Sequence, residues 1–134
     1  MRYRSFPGTD ISVSELGFGL WTLSTGWWGE KSDDEAVAML RAARDEHGIT
    51  FFDAADTYGD GRSERQLAEA FRGRRGDIVI GTKIGYDIYN AAARAERRGQ
   101  SELPQRFDAE YMRYAVEQCL HRLETDYIDV LQLH

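Results

Sequence analysis

Ile49-Thr50-Phe51-Phe52-Asp53-Ala54-Ala55-Asp56-Thr57-Tyr58-Gly59 is the stretch on which the reading of this chain turns. Its first four residues are short, apolar and either β-branched or aromatic, the pattern of a buried strand. The strand gives out at an acid, Asp53, and Tyr58 then stands just before Gly59, Asp60 and Gly61, a cluster that turns the chain. A buried strand that empties into a loop bearing a carboxylate and a phenol is how parallel α/β proteins present reactive groups, outside the carboxyl ends of their strands. Taken alone, the stretch has a plainer reading, in which Asp53 merely ends a strand and Tyr58 packs under a turn. The flanking chain decides between the two.

Upstream, Ser32 and Glu35 form a capping box that opens a helix with the apolar stripe Ala36, Val37, Leu40 and Ala43. His47-Gly48 closes it, glycine taking the left-handed cap and His47 reading as a solvated partner of the helix dipole. Before that helix, Leu16 to Leu20 is a brief apolar strand interrupted by Gly17 and Gly19, where backbones can approach closely. A loop from there to Lys31 carries Trp21, Trp27 and Trp28. These indoles either line a pocket, stacking on a sugar or ring, or pack beneath their own loop. Arg2 to Phe6 and Ile11 to Ser14 read as a small antiparallel hairpin turned by Pro7-Gly8-Thr9-Asp10.

Downstream, Ser63 and Gln66 fit a second capping box, with Leu67, Ala68 and Phe71 facing inward and Gly73 closing the helix. Asp77 to Ile84 is the next buried strand. Lys83 is its oddity, because lysine is seldom buried unless paired; the alternative is a stem that lets its ammonium reach solvent. Gly85 to Phe107 is a long irregular stretch with a basic cluster of Arg94, Arg97 and Arg98, and loops of such length are functional lids or disordered segments. Asp108 caps a third helix with the stripe Met112, Ala115 or Val116, Cys119 and Leu123. Cys119 reads as plain core and His121, off the stripe, as solvent-facing. Ile128 to Leu133 starts a further strand that His134 ends, which is not where a domain normally finishes.

Composition bounds the function. The chain has 134 residues, enough for one domain that buries roughly two-thirds of its unfolded surface. A net charge of −6 speaks against nucleic acid and anionic membrane as partners. No apolar run approaches the ~20 residues of a membrane span, and Met1-Arg2-Tyr3-Arg4 leads into no apolar signal core. A single cysteine excludes an internal disulfide framework and fits a reducing cytoplasm, the expected location. One cysteine and three scattered histidines also speak against a zinc site, and no metal is expected.

A hairpin, three strand–helix units and a final strand imply a parallel sheet with right-handed crossovers and consecutive strands side by side. Asp53, Lys83 and His134 then stand at the carboxyl ends of three neighbouring strands, with Tyr58 on the loop beside them. The residue types suit one chemistry. A phenol with a reference pKa of about 10 is protonated at neutral pH and able to donate, but it is a weak acid unless its phenolate is stabilised. A neighbouring ammonium supplies that stabilisation, and a carboxylate holds the ammonium charged and oriented. A histidine nearby can hydrogen-bond a carbonyl and aim it. Such a site lacks only an electron source, so reduction requires a bound hydride donor.

Leu16-Gly17-Phe18-Gly19, FFDAADTYGDGRSERQL (51–67), IVIGTKIG (78–85) and LHRLETDYIDVLQLH (120–134) together resemble the N-terminal half of an aldo-keto reductase. The resemblance implies a TIM-type (β/α)8 barrel, of which this chain holds the hairpin and about the first four strands with three helices. Residues 1–134 would then be a single incomplete domain, with the hairpin in 1–15 and barrel strands and helices in 16–134. It implies NAD(P)H-dependent reduction of small aldehydes or ketones, sugar-like ones included, with NADP (NADPH) ahead of NAD. Tyr58 would be the general acid, Lys83 would stabilise its phenolate, Asp53 would pair with Lys83 and His134 would orient the carbonyl. Gly19, Leu20, Trp21 and Asp53 would lie near the nicotinamide, Leu20 departing from the small polar residue often found there. A fragment of this kind is expected to be inactive alone. The alternative is a non-catalytic regulatory or binding subunit of the same fold, since the family includes channel-associated members. An intact Asp–Tyr–Lys–His set favours the enzyme.

Overall fold

The computed structural model describes residues 1–96 and 103–134. Arg97 and Arg98 of the expected basic cluster lie outside the described residues. The hairpin is present, β1 (Tyr3–Ser5) running antiparallel to β2 (Ser12–Ser14). Four strands then form a parallel sheet in chain order: β3 (Gly17–Gly19), β4 (Phe51–Asp53), β5 (Val79–Ile84) and β6 (Val130–Leu133). The long helices expected between them are α2 (Asp33–Asp45), α3 (Arg62–Ala70) and α5 (Ala109–Leu123).

Two short helices were not expected. α1 (Trp21–Thr25) turns the tryptophan loop and buries Leu23 and Ser24 before Gly26 ends it at φ 73°. α4 (Ala91–Glu96) interrupts the stretch read as irregular. Its start is held by Asn90, whose side-chain oxygen accepts from Ala92 and Ala93 N–H at 3.0 and 3.3 Å. Both are about one turn long, too short for an apolar stripe to declare itself.

The first capping box forms as read: Ser32 Oγ accepts from Glu35 N–H, and the Glu35 carboxylate accepts from Ser32 N–H at 2.8 Å. The second does not. α3 starts earlier, at Arg62, behind a left-handed Gly61, and no side chain caps it. Ser63 is fully buried and donates to Ala55 O at 3.0 Å. Gln66 accepts from Ser24 Oγ at 2.7 Å and donates to Asp33 Oδ1 at 2.9 Å. The two polar residues therefore tie α3 to its surroundings instead of closing its end. The inward stripe of α3 accordingly shifts to include Ser63, Glu64, Gln66 and Ala70 beside Leu67, while Ala68 is only half-buried.

Alternation along the strands separates two layers. Phe52, Ile80, Thr82 and Ile84 point to the helices and are at most 2% exposed, packing against Leu40, Leu67, Phe71 and Ala115. Burying each large apolar side chain contributes about 1.5–3 kcal/mol, so this layer holds the sheet and helices together. The opposite face carries Phe51, Asp53, Gly81, Lys83, Val130 and Gln132. Glycines make room there: a Cβ on Gly17 or Gly81 would lie 2.9 or 3.0 Å from the Phe51 ring, which fills the space between them and would have to shift. The register aligns Asp53 with Gly81 and Lys83 with Gln132. Because side chains repeat every second residue, Lys83 and His134 project from the same face as Asp53. No helix among the described residues is long and apolar enough to cross a membrane.

Candidate active site

Lys83 does not reach out to solvent. Its side chain is 15% exposed, and its ammonium donates to Asp53 Oδ2 at 2.7 Å, Ala54 O at 2.8 Å and Tyr58 Oη at 3.1 Å. An ammonium has three donors and no acceptor, so all three protons are committed and the Tyr58 oxygen must accept. The phenol's own proton is thereby directed elsewhere. Asp53 is held from its other side by Gln132, which donates to Oδ1 at 3.4 Å.

The loop that carries Tyr58 is fixed by its backbone. Asp56 N–H donates to Lys83 O and Tyr58 N–H to Ala55 O, both at 3.1 Å. Gly59 follows at φ 61°, where a Cβ would fall 2.3 Å from Ser24 O, so no other residue fits that turn. His134 is tied to β5 by its N–H, which donates to Ile84 O at 3.0 Å. Its ring stands edge-on to Tyr58 and Tyr86, at centroid distances of 5.8 and 4.9 Å. Thr57 Oγ1 lies 3.3 Å from His134 Nδ1. Asp53, Lys83 and His134 at the strand ends and Tyr58 on the loop are thus neighbours.

A cavity of about 200 Å³ opens over Tyr58 and His134, walled by Trp21, Trp27, Thr57, Tyr86 and Leu103. Trp21 and Trp27 pack against each other at 5.4 Å with their rings tilted by 42°, whereas Trp28 is 74% exposed and does not line the cavity. A larger groove of about 540 Å³ lies between α2 and α3, away from these groups. Its Arg62 and Arg72 are spent on Asp33, Glu69 and Glu124.

Of the residues expected near a nicotinamide, Gly19 aligns with Asp53 and has no atom within 4 Å of the place a Cβ would occupy. Trp21 borders the cavity. Leu20 is 0% exposed in the core and contributes only backbone, its N–H donating to Asp53 O at 2.9 Å. The open space at Gly19, in register with Asp53, has room for a flat ring. Among the described residues no group of three or more His, Cys, Asp and Glu could hold a metal ion.

A second polar cluster was missed by sequence reasoning. On the helix side, Glu64 is 0% exposed and accepts from Arg122 Nε at 2.6 Å and Thr82 Oγ1 at 2.7 Å. Arg122 also donates to Tyr89 Oη at 2.9 Å and to Cys119 Sγ at 3.4 Å. Among the described residues neither carboxyl oxygen of the fully buried Asp56 has a hydrogen-bond partner of good geometry, although the Thr57 backbone N–H acts on the carboxyl. Burial, then the nearby Glu64, pushes the Asp56 carboxyl up to about 7, with Arg122 opposing them. Burial likewise pushes the Cys119 thiol up, so that cysteine is an inert core residue.

The strand ends of a parallel α/β sheet thus bring an acid, a lysine, a tyrosine and a histidine together, the last two lining one cavity. Residues 15–134 match the model of the Aldo/keto reductase family, and the chain belongs to that family. It is 33% identical over 136 residues to the aldo-keto reductase YhdN of Bacillus subtilis, covering 100% of this chain and 38% of that protein. It is also 33% identical over 138 residues to a probable voltage-gated potassium channel subunit beta of Arabidopsis thaliana, covering 100% of this chain and 37% of that one. A solved aldo-keto reductase from Klebsiella pneumoniae in complex with NADPH superposes with a TM-score of 0.66 at 30% identity, over 93% of this chain and 36% of that one. The chain therefore spans less than half the length of these relatives. Its sheet and helices are the hairpin and first four strands of a (β/α)8 barrel, with two short helices added to the three expected.

Proposed function

We propose that residues 1–134 are the tetrad-bearing part of an NAD(P)H-dependent reductase of small aldehydes or ketones, working in the cytoplasm. Lys83 carries the reading, because its three donors join Asp53, Ala54 and Tyr58 in one arrangement. With its oxygen held by Lys83, Tyr58 donates its proton to the carbonyl oxygen as hydride reaches the carbon. Lys83, anchored by Asp53, stabilises the phenolate left behind, and His134 aims the carbonyl. Bound nicotinamide supplies the hydride, and Gly19, Trp21, Asp53 and the Leu20 backbone are the residues that would border it. NADPH as donor is supported by the Klebsiella pneumoniae relative, and the indole-walled cavity suits a sugar-like or ring-bearing substrate.

The share of its relatives' length that the chain spans supports reading it as one incomplete domain. Leu131 and Leu133 on β6, 45% and 70% exposed, leave an apolar strand uncovered, so residues 1–134 alone are not expected to turn over. A channel-associated, regulatory role is favoured by the names of relatives from Arabidopsis thaliana and Oryza sativa, whereas a tetrad with every lysine donor engaged favours catalysis. The test is NADPH and NADH oxidation by the longer protein with a panel of aldehydes, ketones and aldoses. Carbonyl-dependent oxidation, faster with NADPH, is expected; binding of NADPH with no turnover on any member contradicts the enzyme and leaves the regulatory subunit.

A further inference from the structure

We propose that Thr57 is a positioning residue: its hydroxyl donates to His134 Nδ1 and so keeps the imidazole proton on Nε2, the nitrogen that then donates to the substrate's carbonyl oxygen. The inference rests on the reductase reading, in which His134 aims the carbonyl.

The contact itself is Thr57 Oγ1 to His134 Nδ1 at 3.3 Å. Neither partner is loose. Thr57 lies between two backbone-bonded residues, Asp56 tied to Lys83 O and Tyr58 to Ala55 O, and its own carbonyl accepts from Asp60 N–H at 3.3 Å. The His134 ring is flanked edge-on by Tyr58 and Tyr86. The hydroxyl therefore meets the ring nitrogen in a fixed frame.

The direction of the bond follows from what the carbonyl needs. A neutral imidazole has one N–H and one lone pair, and a carbonyl oxygen only accepts. The nitrogen that serves the carbonyl must carry the hydrogen, so the other must find a donor. A backbone carbonyl or a carboxylate at Nδ1 would force the proton onto Nδ1. A threonine hydroxyl can donate, and so permits the opposite tautomer. His134 keeps its proton throughout; the proton that the carbonyl oxygen gains comes from Tyr58. A valine at this position would keep the branched shape but offer Nδ1 no donor.

The test uses the longer protein, its Thr57→Val variant, which keeps side-chain shape, and Thr57→Ser, which keeps the hydroxyl. Nitrogen-15 shifts of the His134 ring are read without substrate, above the pH at which the imidazole charges. The parent and Thr57→Ser should show the Nε2–H tautomer, and Thr57→Val a mixture or the Nδ1–H form. The kcat for carbonyl reduction should fall roughly three- to tenfold in Thr57→Val, about what one neutral hydrogen bond is worth, and recover in Thr57→Ser with cofactor affinity unchanged. An Nδ1–H tautomer in the parent, or ring shifts untouched by Thr57→Val, overturns the proposal. Failure of the reductase reading looks different: the parent reduces no carbonyl, while the ring shifts still report the contact.

Discussion

Asp53 and Asp56 stand on the same strand-end loop and have opposite surroundings. Asp53 is part-exposed, receives Lys83 at 2.7 Å, through which it reaches Tyr58 at the cavity, and is steadied by Gln132. Asp56 is fully buried near Glu64, Arg122 and Cys119, and among the described residues no side chain hydrogen-bonds its oxygens. The difference arises where the loop leaves the sheet, one acid keeping the face of Lys83 and the other turning to the helices. On the cavity side every donor is matched and one phenolic proton is left to give away. On the helix side one arginine serves an acid pair, and the unmatched acid is pushed toward its neutral form. Polar groups close together in sequence thus do separate work, one set handling a substrate's proton and the other fastening α3 and α5 beneath it.

The helix-side cluster should break first in stability. Glu64→Ala leaves Arg122, whose side chain is 12% exposed, without its carboxylate. Stranding a buried charge costs about 3–5 kcal/mol, which a denaturant titration of the longer protein will show as a lower midpoint. The cavity-side cluster should break in rate instead. Lys83→Met removes the charge beside the phenolate and the bond that orients Tyr58, and kcat for carbonyl reduction should drop by about two orders of magnitude. Its thermal midpoint should move far less than that of Glu64→Ala. Equal losses of stability in the two variants would erase the contrast.

Asp56→Asn should act in the opposite direction, stabilising the fold, and only in part of the pH range. Asp56 has a folded-state pKa of about 7 against an ordinary 3.8. Between those values the folded protein binds the proton that the unfolded chain has lost, so stability falls as pH rises. The group costs nothing below about 4 and its full penalty, at most about 4 kcal/mol, is reached above pH 7. The amide variant should therefore be more stable than the parent at pH 8, match it at pH 4 and flatten the profile between. Melting curves across that range are the check, and a parallel profile would show Asp56 to be ionised at no cost.

Much of this was legible in the sequence because two periodicities announce themselves. The apolar runs at Ile49–Phe52, Ile78–Ile84 and Ile128–Leu133 marked the parallel strands, and the Ala36-Val37-Leu40-Ala43 stripe marked α2. Once strands are adjacent, polar residues at their ends must meet, and that brought Asp53, Lys83, Tyr58 and His134 into one place. Gln132 was overlooked, although it sits two residues before His134 and must share its face. The helix-side cluster was hidden for a physical reason: Glu64 and Arg122 occupy inward positions that an apolar stripe search skips, and each makes sense only through the other. Ser63 and Gln66 deceived because a capping box and a pair of buried tethers have the same spacing. Left-handed Gly61 had already begun the helix.

The central claim is that Tyr58, its oxygen held by Lys83, is the proton donor, and Tyr58→Phe tests it most directly. The variant keeps the ring against His134 and removes only the hydroxyl. In the longer protein, single-turnover reduction of an aldehyde should slow by about 10²–10⁴-fold, the range of a lost general acid, with NADPH affinity nearly unchanged. A Tyr58→Phe protein that reduces the aldehyde at the parent's rate would contradict the account.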